Sequence, residues 1–201
     1  MFFSPKKEII IFLTLFLVVG AGVFLFLNSG AYLEILRYKL SFGNAPILDF
    51  KSAVKTVATG NENAYTLFIP KIGALAPVVF PKDDSVKNIL LALKKGVALY
   101  PGSSLPGDTG RGVILGHSYK PPIFTLLNKL QKDDEFYVVS GNKKFIYSVL
   151  ANDTLSPEKT NAALSQSPKN KSEIALITCW PIGSSSKRTL IQAKLIGVEK
   201  F

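Results

Sequence analysis

The sequence predicts a mostly β domain of barrel or sandwich type with short helices, preceded by one N-terminal transmembrane helix. Three observations carry this. Ile9 to Leu27 is an apolar run of 19 residues without a charge. From Tyr65 onward, short apolar or alternating runs recur between turn signals. Only two stretches in that region carry helix start and stop signals. The length of 201 residues suits a short extra segment plus one domain. Its 47% hydrophobic and 19% charged residues exclude a disordered chain.

In chain order, IIIFLTLFLVVGAGVFLFL (9–27) comes first. At about 1.5 Å per residue it spans roughly 28 Å, close to the thickness of a bilayer's hydrocarbon. A secretory signal peptide has a shorter apolar region, about 7–15 residues, and then a small-x-small cleavage site. Here Asn28-Ser29-Gly30 follows instead, so the segment reads as an uncleaved signal anchor. The alternative, a buried core helix, is disfavoured because no polar face recurs at helical spacing. Lys6, Lys7 and the terminal amine precede the span while Arg37 and Lys39 follow it, a narrow charge bias toward an inside amino terminus. Residues 1–8 are then a cytoplasmic leader and 9–27 the membrane anchor. Residues 28–64 read as a stalk: 30–40 could extend as a short amphipathic helix, and 41–64 mix Gly, Asn, Pro, Lys and Thr without a period.

The domain proper is expected at 65–201. Strand candidates are YTLFI (65–69), APVVF (76–80), GVILG (112–116), EFYVVS (135–140), KFIYSVL (144–150), EIALITC (173–179) and RTLIQAKLIGV (188–198). Helices are expected at 84–96, with Ser85 as cap and Gly96 as stop, and at 123–130, entered through Pro121-Pro122. Residues 151–173 read as one long polar connection, the best candidate for a substrate-gripping loop.

Lys and Arg number 24 against 14 Asp and Glu, a net +10, of which residues 1–40 supply +2 and 41–201 supply +8. Such charge suits anionic lipid or an anionic wall polymer. It does not by itself make a nucleic-acid reader, and no nucleic-acid partner is expected. One Cys excludes an intrachain disulfide, and one Cys with one His excludes a zinc site built mainly from those ligands. Neither metal nor cofactor is expected.

Cys179 ends an apolar run and precedes Trp180-Pro181; His117 likewise follows the run GVILG. Each can therefore lie at a strand end. Arg188 comes nine residues after Cys179, beyond the turn Ile182–Ser186, so a hairpin would return it beside the thiol. A thiolate to attack a carbonyl, an acid to protonate a leaving amine and a donor for the developing oxyanion are the three roles these residues can fill. With reference pKa values near 8.5 and 6.5, only on the order of 1% of molecules at pH 7.5 would hold thiolate and imidazolium together. Composition alone equally allows a buried structural thiol and a packed histidine. Thr178 and Trp180 flank Cys179 as candidate substrate-binding residues, Trp180 being equally readable as core packing.

ALITCWPIGSSSKRTLIQAKL (175–195) resembles the Thr-Leu-x-Thr-Cys strand, turn and Arg-bearing strand of the sortases, membrane-anchored cysteine transpeptidases. GDTGRGVILGHS (107–118) resembles the segment ending in that family's histidine, and LFIPKIGALAPVVF (67–80) its early strand pair. The resemblance spans about 65–198 and implies catalytic Cys179, His117 and Arg188. Two positions depart from the pattern: Ala175 replaces the first Thr, and Arg111 stands where Asn is often found. The spacing from Cys179 to Arg188 is similar to housekeeping-like or pilin-type members. The Asp-Pro-aromatic lid and second span of pilin types do not occur, which fits a class D-like or related single-anchor sortase.

Membership would imply a closed eight-stranded β-barrel and a protein substrate bearing a Leu-Pro-x-Thr-Gly-like sorting signal. It would imply transfer of the Thr carbonyl to an amine of a peptidoglycan precursor or a pilin. The domain then lies outside the cell, tied to membrane lipid through a single pass with the amino terminus inside. A free thiol outside the membrane also suits a catalyst better than half a disulfide. Leu105–Gly110 (LPGDTG) only superficially resembles a sorting signal, having one residue too many, and reads as a loop entering the His117 strand. Papain-like enzymes place Cys before His at a helix start, and the Ser-His-Gly-Cys signature of L,D-transpeptidases is absent. From another class, a membrane-tethered, non-catalytic β-barrel binding cell-wall polymers would also use the +8 charge.

Overall fold

A computed structural model of the chain describes residues 5–27, 29, 33, 36, 64–166 and 170–200. The start of the expected leader and nearly all of the expected stalk lie outside the described residues. Helix α1 (Pro5–Leu27) contains the apolar run, and the span Lys7–Leu27 has a mean hydropathy of 2.9 with none of it buried in the protein. A core helix would be covered by the domain; this one is bare, which is how a candidate membrane anchor should look.

The domain begins with β1 (Tyr65–Ile69), which turns through a short 3-10 segment (Pro70–Ile72) into β2 (Ala74–Val79). Gly73 closes that turn at φ 64°, a left-handed conformation that glycine adopts without a Cβ penalty. Helix α2 (Val86–Leu93) is capped by Ser85, whose hydroxyl accepts from the Asn88 N–H at 3.4 Å, as the sequence predicts. There follow β3 (Val97–Leu99), β4 (Gly110–Leu115), β5 (Glu135–Ser140), β6 (Lys143–Leu155), α3 (Pro157–Ser165), β7 (Ser172–Trp180) and β8 (Lys187–Lys200). The strands close into a barrel in the order β1-β2-β3-β4-β7-β8-β6-β5. Two of its pairings are parallel, β2 with β3 and β4 with β7.

Period-2 alternation sends Ile114 of β4, Ile174 and Leu176 of β7 and Ile191 and Ala193 of β8 into the barrel interior, all at most 1% exposed. The Phe136 and Tyr147 rings stack there with centroids 5.4 Å apart. The strand expected at 112–116 and its neighbours shift by one or two residues, within the usual spread of element ends.

Two expectations are corrected, and one strand is added to those expected. Residues 123–130 form turns and a 3-10 segment (Leu127–Lys129), not an α-helix. Phe124, Leu126, Leu127 and Leu130 are all buried, and they plug the barrel. Thr125 Oγ1 donates there to the Ser118 and Pro122 carbonyls. Residues 151–173 are not one loop: Ala151–Leu155 extend β6 against Gln192–Arg188 of β8, and α3 starts at Ser156, which accepts from the Lys159 N–H, with Pro157 in its first turn. The eighth strand, β3, is three residues long and has no period to read.

Candidate active site

The alternation that fills the barrel leaves a second, outward face on β4, β7 and β8. It carries Val113 and Leu115, then Ala175 and Ile177, then Leu190; Ala163 and Leu164 of α3 and Leu155 pack against it. Beside this contact lies a groove of about 690 Å³, lined by Val113, Leu115, Ile177, Thr160, Leu164 and Arg188, and bounded by the turn at 100–103.

Cys179 stands two residues beyond Ile177 on the same outward face, one residue before β7 ends. Its register partner across the β7–β8 hairpin is Arg188, so the hairpin that the spacing predicts is formed. The thiol is free and half-buried. His117 stands two residues beyond Leu115, and Leu115 is the register partner of Ile177. The parallel pairing continues one step past the strand, with the Gly116 N–H donating to the Ile177 carbonyl at 3.0 Å. His117 and Cys179 are thus each two residues past one matched pair, at the same end of neighbouring strands.

The backbone around His117 is held on every side. Thr178 Oγ1 donates to the Gly116 carbonyl at 2.8 Å, and the His117 carbonyl accepts from the Phe124 N–H at 2.9 Å. A Cβ on Gly116 would lie 2.3 Å from the Phe124 ring, so only glycine lets the plug seat against this segment. His117 is half-buried, and that desolvation pushes its pKa below the ordinary 6.5, favouring the neutral imidazole. Arg188 Nη1 donates to the Ser185 carbonyl at 2.8 Å and the Lys187 carbonyl at 2.9 Å. Nε and Nη2 have no acceptor among the described residues, so one edge of the fork is anchored and the other is available.

Of the five expected site residues Arg188 lines the groove, and Cys179 and His117 stand outside its lining, as do Thr178 and Trp180. The last two lie on the opposite face of β7 from Cys179. Thr178 is 3% exposed and spends its hydroxyl as the clamp on Gly116; Trp180 is half-buried and faces Lys187 in register. Adjacency in a strand puts neighbours on opposite faces, so nearness to Cys179 in sequence does not set these two beside its thiol. Sequence reasoning missed the wall formed by α3, although Ser156-Pro157-Glu158 is a helix-start signal. Leu105–Gly110 is the expected loop: Pro106 is buried, and the Gly107 N–H donates to Tyr147 Oη at 2.8 Å. Among the described residues no three His, Cys, Asp or Glu side chains cluster as a metal site.

Residues 67–196 match the family model of the sortase domain. Sortase A of Bacillus anthracis is 28% identical over 133 residues, which are 65% of this chain and 59% of that relative's length. Among solved structures, a pilus-related sortase C of group B Streptococcus superposes with a TM-score of 0.58 at 28% identity, covering 69% of each chain. Sortase C-1 of Actinomyces oris gives 0.59 at 26% identity over 84% of this chain and 99% of its own.

Proposed function

This chain belongs to the sortase family, and from that premise we propose that it is a membrane-anchored cysteine transpeptidase acting on proteins with a Leu-Pro-x-Thr-Gly-like sorting signal. One observation carries the reading: Cys179 and Arg188 are cross-strand partners at the strand end next to His117, and Arg188 lines the groove.

The substrate lies along the apolar floor of Val113, Leu115 and Ile177, with its Thr carbonyl at Cys179. The Cys179 thiolate attacks that carbon, and the electron pair of the carbonyl moves to oxygen, where the free edge of Arg188 donates hydrogen bonds. As the intermediate collapses, the Thr–Gly C–N bond breaks and imidazolium His117 gives its proton to the leaving Gly nitrogen. An incoming amine, from a peptidoglycan precursor or a pilin, then attacks the thioester, neutral His117 takes its proton, and Cys179 leaves as thiolate. Residues 1–8 are cytoplasmic, 9–27 cross the membrane, 28–64 form the stalk and 65–201 the catalytic domain outside.

The test is transfer by the full chain in detergent of a labelled Leu-Pro-x-Thr-Gly peptide to an added oligoglycine amine. The expected product is the new amide, absent with Cys179→Ala. Failure to cleave any of a panel of such peptides by the folded protein would overturn the reading and favour a non-catalytic barrel.

A further inference from the structure

We propose that Arg111 is a positioning residue whose guanidinium is the strut holding α3 in place as the wall of the groove; the inference rests on that groove receiving the peptide. Arg111 and Glu173 are register partners on β4 and β7. Arg111 Nη2 and Nε donate to Glu173 Oε2 at 2.9 and 3.3 Å, and Nη1 donates to the Ala163 carbonyl at 2.8 Å. The two side chains are only 9% and 12% exposed, so the pair is largely removed from water.

The planar fork therefore addresses two elements at once: one edge grips the sheet, the other the last turn of α3. Carbonyls in a helix's last turn lack intrahelical partners, and a cation there also meets the negative end of the helix dipole. Helix α3 needs such a tie. It has nine residues, short of the roughly 12–15 that hold a helix alone, and its remaining grip on the barrel runs through buried Thr160 and the partly buried Ala163 and Leu164. Thr160, Asn161, Leu164 and Ser165 of this helix line the groove, as does Arg111 itself. Lysine would keep the ion pair but cannot address both acceptors with a fixed fork.

The full chain in detergent, with Arg111→Ala and Arg111→Lys, tests this by three readouts. The expected result is a KM for a Leu-Pro-x-Thr-Gly peptide about tenfold higher with kcat within about twofold, tenfold being about 1.4 kcal/mol. Alkylation of Cys179 by iodoacetamide should be unchanged. Amide exchange should accelerate across 157–165 and not in the barrel strands. If Arg111→Ala fails to fold, Arg111→Lys, which still neutralises Glu173, carries the test. Unchanged exchange across 157–165 in a folded variant overturns the strut, as does a loss confined to kcat or faster exchange throughout the barrel. If the wild-type chain cleaves no peptide, the proposed function fails, while the exchange comparison still decides whether Arg111 holds α3.

Discussion

Arg188 differs from an ordinary strand-start arginine in having one guanidinium nitrogen tied to the carbonyls of its own turn and its other edge unused. A tied fork presents a fixed pair of donors, and lysine keeps the charge without that geometry. Arg188→Lys should therefore slow single-turnover acylation on the order of 10²-fold, the cost of one lost oxyanion donor, and Arg188→Ala more. Near wild-type acylation in the Lys variant would reduce Arg188 to general positive charge. His117 supplies a pH prediction with a definite sign. Burial lowers its pKa, so imidazolium is scarcer at neutral pH than for an exposed histidine, and its midpoint, followed by NMR in Cys179→Ala, should fall below about 6.5. The acid-side break of kcat/KM should sit at that same lowered value; a break above 6.5 would contradict the assignment. The positions of Cys179, His117 and Arg188 at strand ends were legible because each adjoins an apolar run. Thr178 was not, because side-chain direction depends on strand phase, and nearness in sequence to Cys179 hides it.

At the scale of elements, the site exists because β4 and β7 lie parallel and bring His117 and Cys179 to the same end of the sheet, a pairing between residues 62 apart that no local pattern announces. What locks the pairing past the strand end is Gly116, pressed against Phe124 of the plug. Gly116→Ala puts a methyl into the ring and should cost about 1–3 kcal/mol of stability, as overpacking does. It should also depress activity by displacing His117. Thermal unfolding and peptide turnover check both, and adding Phe124→Leu should restore part of each, since neighbouring sites couple. Activity and melting temperature equal to wild type in Gly116→Ala would show that the segment yields freely. The plug carries helical apolar spacing and helix-favouring Leu residues, so local pattern alone does not distinguish it from an α-helix. The reverse happened at 151–173, where polar composition masked the end of β6 and a capped helix.

For the whole molecule, the β class and the apolar anchor followed from period and length, whereas closure did not. It depends on the three-residue β3 and on β5 meeting β1, contacts visible only in three dimensions. The closed barrel is what brings two strand ends and a hairpin together beside one groove, and the central claim is that covalent chemistry runs through the single thiol at that end. The most direct measurement is the intact mass of the full chain after mixing with a Leu-Pro-x-Thr-Gly peptide and no added amine. The account predicts an adduct of the peptide up to Thr, mapped to Cys179, discharged by an added amine and absent in Cys179→Ala. Peptide cleavage without any adduct on Cys179, or undiminished in Cys179→Ala, would contradict it.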